Sequence, residues 1–495
     1  MARRALGALL PCFGLAFVLA CLSVGTARAD IGVVLSEALD ESVAKVTSAG
    51  HSAVYFSRIC PETPIKLRLC RPGEMGSVIS NYTTLGEDQP FEWNVVSLSI
   101  YLYGVDDPRF RPLIGLPQIK RALEENYRKE YLASYCASEF CRTSNKPEWR
   151  FMVGSTLERS MYIFVVHTSV DQDLAFIKHF NSSPNVNHFN GVTRNCATFV
   201  RSVVDFYYPH SAHADYFNDF LMTSPKAIAR SFTRWALHHP EMNLRVLHFA
   251  QLPGTIKLSS EARSGTEQFC RSKKFYPPMV WFAPYGMPAA AGAYYLTGRF
   301  NPEHELEKHP AAIEAESTSD PTAHWFMDDG TQTDALGSEQ PDGRALVFGT
   351  KQEWKQYHTD FDGILDEAIE ENMIPGRDYV DHFAKELQQT GTPVLDPHGG
   401  VWLEVKGAGQ LTKLGVSASN ILGPGSNSRL AYALLLAREE YMLKSPKHRR
   451  ESMPEFTADW QLLESGRTRI WAAQSTAVAS AQNREPQTLL VAAKP

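Results

Sequence analysis

The chain has 495 residues, a net charge of −6 and an apolar fraction of 43%. A chain of this length exceeds a single hydrophobic core and is expected to divide into two or three domains. Its 49 Lys and Arg residues are interspersed with 55 Asp and Glu residues without long single-sign blocks, so the sequence indicates no nucleic-acid partner.

The first 29 residues are predicted to be a signal peptide. Arg3 and Arg4 form a basic start, residues 6–22 are mainly apolar, and Ala27-Arg28-Ala29 matches the small-residue pattern that precedes cleavage. Two alternatives stay open: Val18-Leu19-Ala20-Cys21 resembles a lipoprotein processing site, and the third interpretation of the segment is an uncleaved membrane anchor. All three place the chain in a periplasmic or other extracytoplasmic space, either free or held by a lipid or membrane anchor.

An antiparallel meander is predicted to follow. The apolar spacing of residues 31–49 suggests a helix or a partly ordered lead-in. Alternating residues separated by Pro- and Gly-containing turns then predict strands over 51–60, 65–70 and 76–82. Further along, the pattern predicts a helix over 118–136, a strand over 160–167 and a helix over 171–180.

A loop is predicted to turn into a helix at Cys196. Asn195 suits the N-cap position, and apolar residues recur behind it at helical spacing as far as Pro209. A thiol at this position feels the positive end of the helix dipole, which lowers its pKa and favours the thiolate. The alternative is a small cysteine that is simply buried in the core.

Composition divides the rest of the chain. We predict a first domain over 30–258, a connecting segment over 259–300, a polar linker over 301–343, a small C-terminal α/β domain over 344–445 and a polar tail over 446–495. Within the connecting segment, residues 275–298 carry no charge but four prolines. This run is a candidate for membrane contact, and a buried packing segment is the alternative.

The cysteines limit the chemistry further. Cys12 and Cys21 belong to the leader, and in an oxidising compartment Cys60 with Cys70, and Cys136 with Cys141, are candidate local disulfides. Cys196 and Cys270 are left over and either bridge each other or stay free, which the sequence does not decide. No spacing matches a metal site and no cofactor motif is present, so neither a metal nor a cofactor is predicted.

Two short motifs carry a family resemblance. Gly50-His51-Ser52-Ala53-Val54-Tyr55, followed much later by Asn195-Cys196-Ala197-Thr198-Phe199-Val200, resembles the permuted papain-like (NlpC-type) superfamily. The match is nearest to the Lnb-type N-terminal periplasmic domains of exported bacterial proteins, and it covers about residues 50–209. The resemblance implies an α+β fold with an antiparallel sheet packed on a Cys-bearing helix, here followed by a mixed, mostly helical C-terminal region.

The resemblance also implies a function. Cys196 would be the nucleophile and His51 the base of a cysteine hydrolase or acyltransferase acting on amide or ester bonds of a peptide, peptidoglycan or lipid-acyl substrate. Asn81 is our choice for the residue that orients the imidazole, and Asn195 is assigned an orienting or oxyanion role. His167 and His188 are weaker candidates for the site. The alternative is a non-catalytic periplasmic binding or scaffold protein that uses the same fold.

Overall fold

The computed structural model describes most of the chain beyond the predicted signal peptide. It describes residues 29–39, 50–80, 90–133, 148–185, 187–188, 190, 193–219, 222–271, 285, 288, 292, 294–302, 304, 349–397, 399–407, 410–446 and 449–482. Asn81, Cys136 and Cys141, residues 1–28 and nearly all of the predicted linker lie outside these residues. The described part is α+β with antiparallel sheets, which confirms the predicted class at that level.

A six-stranded antiparallel sheet forms the centre of the N-terminal half. Its strands are β1 (Ala29–Ser36), β2 (His51–Phe56), β5 (Ser77–Ser80), β7 (Asn94–Ser97), β8 (Met161–Thr168) and β10 (Arg245–Phe249), in the order β10-β8-β1-β2-β5-β7. Two short ribbons accompany the sheet: β3 (Ile59–Thr63) pairs with β4 (Lys66–Leu69), and β6 (Pro90–Phe91) pairs with β9 (Asn187–His188). The predicted Cys60–Cys70 disulfide is present and ties β3 to the end of β4.

Strand β1 corrects the predicted helical lead-in. Residues 29–36 form a strand whose residues are all buried, between β2 on one side and β8 on the other. A strand covered on both faces shows a nearly continuous apolar run instead of alternation, so its periodicity resembles that of a buried helix. The lead-in is therefore a central strand, and its first residue is the last residue of the predicted signal peptide.

Helices cover one face of the sheet, which we call the α4 face. The N-terminal helices are α1 (Leu98–Tyr103), α2 (Pro117–Glu130), α3 (Val170–Ser182), α4 (Cys196–Tyr207), α5 (Pro225–Leu237) and α6 (Gly265–Arg271). Apolar side chains of α3, α4 and α5 pack on Val33, Val54 and Phe164 of the sheet in one buried cluster. Short 3₁₀ turns at 108–110, 148–152, 155–157 and 240–242 and a π turn at 294–298 complete this half.

The opposite face of the sheet, which we call the C-terminal face, is covered by α1, α2 and the C-terminal half of the chain. A second apolar cluster runs without interruption from Val34 and Tyr55 of the sheet to Trp354 and Leu435. Backbone hydrogen bonds also join the two halves, including Leu113 N–H to the carbonyl of Val416 at 2.8 Å. The C-terminal half therefore packs directly on the sheet.

The C-terminal half is a three-stranded antiparallel sheet with long helices. It comprises α7 (Lys351–Glu370), α8 (Arg377–Thr390), β11 (Gly391–Leu395), β12 (Val401–Gly407), β13 (Gln410–Gly415), α9 (Ser428–Lys444) and α10 (Met453–Gln482). Helix α10 has 30 residues and buries Phe456 and Leu463, in a segment for which composition predicts a polar tail. In the described residues, no helix is long and apolar enough to cross a bilayer.

Buried charges join the two halves. Arg438 of α9 lies fully buried among Glu439, Glu451 and Asp459, and Arg111 from the N-terminal half also pairs with Asp459. The hydroxyl of Tyr103, at the end of α1, donates to Glu455 at 3.4 Å. We call these two arginines and four carboxylates the buried charge network. It contains four carboxyl groups and two arginines, and burial raises the pKa of Glu439, Glu451 and Glu455 above the usual value.

Candidate functional site

Helix α4 begins at Cys196 because the residues around it form a complete N-terminal cap. The side chain of Asn195 accepts a hydrogen bond from Thr198 N–H at 2.9 Å, and Thr198 Oγ1 accepts from Asn195 N–H at 2.8 Å. The side-chain Nδ2 of Asn195 also donates to the carbonyl of Thr223 at 3.0 Å. Such reciprocal bonds satisfy the amides that a helix start leaves unpaired. The predicted cap is confirmed, and both polar atoms of the Asn195 side chain are occupied by it and by Thr223.

The thiol of Cys196 is free and faces the start of β2. Burial raises the pKa of this thiol, and hydrogen bonds from Ser52 and from the helix start lower it by less. The amide is the better-placed donor of Ser52, because its buried hydroxyl has no partner of regular hydrogen-bond geometry in the described residues. The expectation of a thiolate stabilised by the helix dipole is therefore wrong: desolvation outweighs the dipole, and the thiol is neutral at pH 7.

His51 is buried in a different environment. Its Nε2 lies 2.6 Å from the hydroxyl oxygen of Ser80 on the neighbouring strand β5. Burial, followed by the positive charge of Arg159, holds the pKa of His51 well below its usual value. The imidazole is therefore neutral at pH 7, and its Nε2 is engaged with Ser80.

The strand register separates these two residues. Successive side chains of a strand point to opposite faces, and Val54 and Phe56 of β2 belong to the cluster on the α4 face. Ser52 shares that face, whereas His51 shares the C-terminal face with Ala53 and Tyr55. The structure thus places Ser52, rather than His51, beside the thiol. Asn81, the residue chosen to orient the imidazole, lies outside the described residues.

The other predicted histidines occupy separate places. His167 Nδ1 lies 2.7 Å from Asp30 Oδ1, and Arg245 contacts the other oxygen of Asp30 at 2.7 Å. This group sits at the start of β1, six residues from the Ser36–His51 pair and so about 20 Å along the strand. His188 lies in β9 and lines a groove beside α4.

That groove lies between α3, α4 and the loop before Cys196, and we call it the aromatic groove. It has a volume of 410 Å³ and is lined by Trp93, Phe176, His179, Phe180, Ser183, Pro184, Asn185, Asn187, His188, Thr193, Arg194, Asn195, Thr198, Phe199, Ser202, Val203 and Phe206. Trp93 stacks on Phe199 with ring centroids 3.7 Å apart, and His179 stacks on Phe206 at 5.3 Å. Among the described residues, the lining includes Arg194 and two histidines but no carboxylate.

Sequence reasoning missed this groove. Phe206 lies within the helical pattern of α4, yet 41% of its surface is exposed, because the groove opens along that side of the helix. Trp93 comes from a segment more than a hundred residues earlier, and no local pattern predicts that contact. The groove flanks Cys196 through Asn195 and Thr198, which both line it.

Metal ligation has one geometric candidate in the described part of the chain. Cys60, Cys70 and Glu74 bring donor atoms close together, but the two sulfurs are joined in the disulfide and are not free to ligate. The Glu74 carboxylate instead binds Arg68 through both of its oxygens at 2.6 Å.

Comparison with other proteins gives no family assignment. No family model matches the sequence, and searches of the curated proteins and of the solved structures return no match. The function is therefore argued from the site alone.

Proposed function

We propose that the N-terminal half is a binding module that holds, in the aromatic groove, a ligand combining an apolar part with an anionic group. The groove itself carries this proposal: it is a 410 Å³ space lined by aromatic rings, Arg194 and two histidines, and the part of its lining that the structure describes contains no carboxylate. Pockets of this size and mixed lining are typical of small-ligand sites. A non-catalytic binding protein is the alternative function that the sequence predicts, and we assign its binding site to the aromatic groove.

The apolar part of the ligand would contact Phe176, Phe199 and Phe206. Phe176 and Phe206 meet edge to face at 5.6 Å, and Phe206 is partly open to solvent. Covering such rings removes apolar surface from water, which is favourable by about 25 cal/mol per Å². An acyl chain or an apolar peptide side chain fits this wall.

The anionic part would lie near Arg194. This residue is exposed in the loop that leads into α4, and the start of α4 adds the positive end of a helix dipole on the same side. A carboxylate or phosphate is the chemistry that this arrangement favours. Acylated amino acids and peptides with a free carboxylate meet both requirements.

A calorimetric titration with an N-acyl amino acid and with its methyl ester tests the proposal. We expect the free acid to bind more tightly than the ester, Arg194→Gln to remove that difference, and Phe199→Ala to weaken both ligands by about tenfold. Arg201→Gln is the matched control, since Arg201 lies on the same helix, is absent from the groove lining and pairs with Asp205. Equal affinity for acid and ester, or no binding of either, would contradict the proposal.

Cysteine-dependent acyl transfer is the second candidate, and one observation favours it. The free thiol of Cys196 lies at the start of a fully capped helix, between two residues that line the groove. Together with the antiparallel sheet behind α4, this supports the resemblance to the permuted papain-like families. The dyad needs the imidazole of His51 to leave Ser80 and reach the α4 face.

An activated ester distinguishes the two candidates. On incubation with p-nitrophenyl acetate, the binding module gives neither a burst of p-nitrophenolate nor an acetylated Cys196 by mass spectrometry. An enzyme would give both, and would lose both in Cys196→Ser and in His51→Ala. Acetylation that requires His51 would establish catalysis and overturn the binding-only proposal.

Export from the cytoplasm is part of the same proposal. It is supported by the basic and apolar start of the chain and by the Cys60–Cys70 disulfide, since disulfides persist mainly in oxidising compartments. We expect the extracytoplasmic protein to begin at Asp30, as determined by N-terminal sequencing. A protein that keeps residue 1 and is recovered from the cytoplasm would contradict export.

A further inference from the structure

A second cavity lies between the two halves of the chain, and we call it the junction cavity. It has a volume of 300 Å³. Leu113, Ile114 and Leu258 of the N-terminal half line one side, and Val380 of α8 and Leu434 of α9 line the other. A cavity of this volume with mainly apolar walls lies at the lower end of the range for small-molecule sites. It is separate from the aromatic groove, because the described linings of the two have no residue in common.

The junction cavity extends from the core to the surface. Leu113 is fully buried, whereas Leu258 is 42% exposed and the side chain of Lys444 is 60% exposed. All three residues line the cavity, so a small molecule has a route into it from solvent.

Two arginines in the wall of the junction cavity carry hydrogen-bond donors that have no partner in the described residues. Both Nη atoms of Arg438 contact carboxylates of the buried charge network, so the Nε and the aliphatic part of this fully buried side chain are left to line the cavity. The Nε of Arg449 is also buried and without a partner, while its Nη2 donates to the carbonyl of Ser259 at 3.0 Å. A buried donor without an acceptor costs free energy, so an acceptor placed in this cavity would be favourable.

The charges of the described lining are balanced. Three lining residues are cationic and two carry carboxylates. Lys444 binds Glu440 at 2.8 Å and Asp381 at 3.3 Å, and Arg438 is already paired with the carboxylates behind it. An added anion would face those carboxylates and an added cation would face the arginines, whereas a neutral molecule meets neither cost. The aromatic groove differs in this respect, since its described lining has no carboxylate.

We propose that the junction cavity binds a small neutral molecule that combines an apolar body with a carbonyl acceptor, such as a primary amide or a ketone. The body would fill the space between Leu113, Val380 and Leu434. The carbonyl oxygen would accept from the Nε–H of Arg449, with that of Arg438 as the second donor in the wall. Because both halves of the chain supply the wall, such a ligand would also stabilise their contact. The inference does not depend on the function proposed for the aromatic groove.

Three ring compounds of nearly equal shape test the inference with the full-length protein. Cyclohexanecarboxamide is neutral, cyclohexanecarboxylate is anionic and cyclohexylmethylammonium is cationic, and each is titrated by saturation-transfer NMR. We expect the amide to bind about tenfold more tightly than either charged compound. Ala384→Phe and Ala437→Phe fill the cavity from α8 and α9 and should each abolish binding of the amide. Phe199→Ala, in the aromatic groove, should leave it unchanged.

Arg449→Met tests the contact with the acceptor, and should weaken binding of the amide by about tenfold. Arg429→Met is the matched control, because the Nη2 of Arg429 also donates to one backbone carbonyl, that of Asn372 at 3.0 Å, outside the cavity lining. Circular dichroism and urea denaturation establish that each variant is folded. No binding of the amide to the parent would leave the donors to water and overturn the inference. Equal binding of the three compounds would also overturn it, as would amide binding that persists in both filled variants or is the same in Arg449→Met and Arg429→Met.

Discussion

The two faces of the six-stranded sheet differ in how completely the rest of the chain covers them. On the C-terminal face, the apolar cluster continues into the C-terminal half and meets the buried charge network, so protein covers the sheet on this side, which we call the closed face. On the α4 face, the apolar cluster ends at the aromatic groove, which is open to solvent. His51 lies on the closed face and the thiol of Cys196 on the open one. We therefore expect the proposed ligand to bind on the α4 face.

The largest effect is expected on the closed face. Arg438→Met removes a cation that is fully buried among Glu439, Glu451 and Asp459 and breaks its buried ion pairs with them. Such a loss costs about 3–5 kcal/mol of unfolding free energy, measured by urea denaturation. Arg467→Met, which breaks the half-exposed pair with Glu367, is the control and should cost less than about 1 kcal/mol. Equal costs would show that the network is hydrated and the face is not closed.

The pH dependence of stability tests the same face. Burial, together with the charge of Glu451, raises the pKa of Glu455 from 4.5 to about 8, while Arg111 opposes the shift. The folded state therefore holds a proton that the unfolded state releases, so this stability is complete below pH 4.5 and is lost as the pH rises through 8. We expect the unfolding free energy to fall between pH 6.5 and 8 by as much as about 1.4 kcal/mol per pH unit.

Glu455→Gln should flatten that slope, because the amide cannot titrate. His51 does not contribute to this slope. Because its pKa is lowered in the folded state, this residue decreases the unfolding free energy only as the pH falls below 6.5. Arg111, Arg438, Glu451, Asp459 and Tyr103 face Glu455 from the surrounding elements. A slope that persists in the glutamine variant would assign the pH dependence to one of those other acidic groups.

A smaller effect is expected at the open face. Asn195→Ala removes the N-cap of α4 and should cost about 1 kcal/mol of unfolding free energy. Asn427→Ala removes the equivalent cap of α9 and should cost about the same. Only the first variant is expected to weaken the groove ligand, because Asn195 lines the groove. If both variants weakened the ligand equally, the effect would be one of global stability.

The smallest effect concerns the predicted dyad. Since burial raises the pKa of the Cys196 thiol, iodoacetamide should alkylate it more slowly than a free thiol at pH 7. His51→Ala should leave that rate unchanged, because the imidazole lies on the other face. Alkylation is followed by mass spectrometry between pH 6 and 10. A rate that falls severalfold in His51→Ala would show that the imidazole reaches the thiol and would break the distinction between the faces.

Local chemistry predicted several parts of the fold. The N-cap at Asn195, strand β2 and the Cys60–Cys70 disulfide each depend on residues close together in the sequence, and each is present. The strand β1 was missed because burial on both faces removes the alternation that identifies a strand. Helix α10 was missed because long polar side chains interrupt the apolar positions that it buries.

The order of the two motifs along the chain does not determine the geometry of the candidate site. The motifs place a histidine before a cysteine, as the resemblance requires, but they do not say which face of β2 meets α4. That depends on the packing of β2 against α4, and a shift of one residue exchanges His51 for Ser52. The aromatic groove depends on Trp93 meeting Phe199, a contact between distant segments that no sequence window contains.

The position of β1 also governs when the sheet can form. Its partner β2 follows soon after in the chain, but its other neighbour, β8, begins at Met161. The ion pair of Asp30 with Arg245 joins residues that are still further apart in the sequence. During synthesis, the first strand of the described residues therefore stays half-paired until well over a hundred residues have followed. Contacts of such long sequence separation slow folding. We therefore expect the central pairing of the sheet to be completed late in folding.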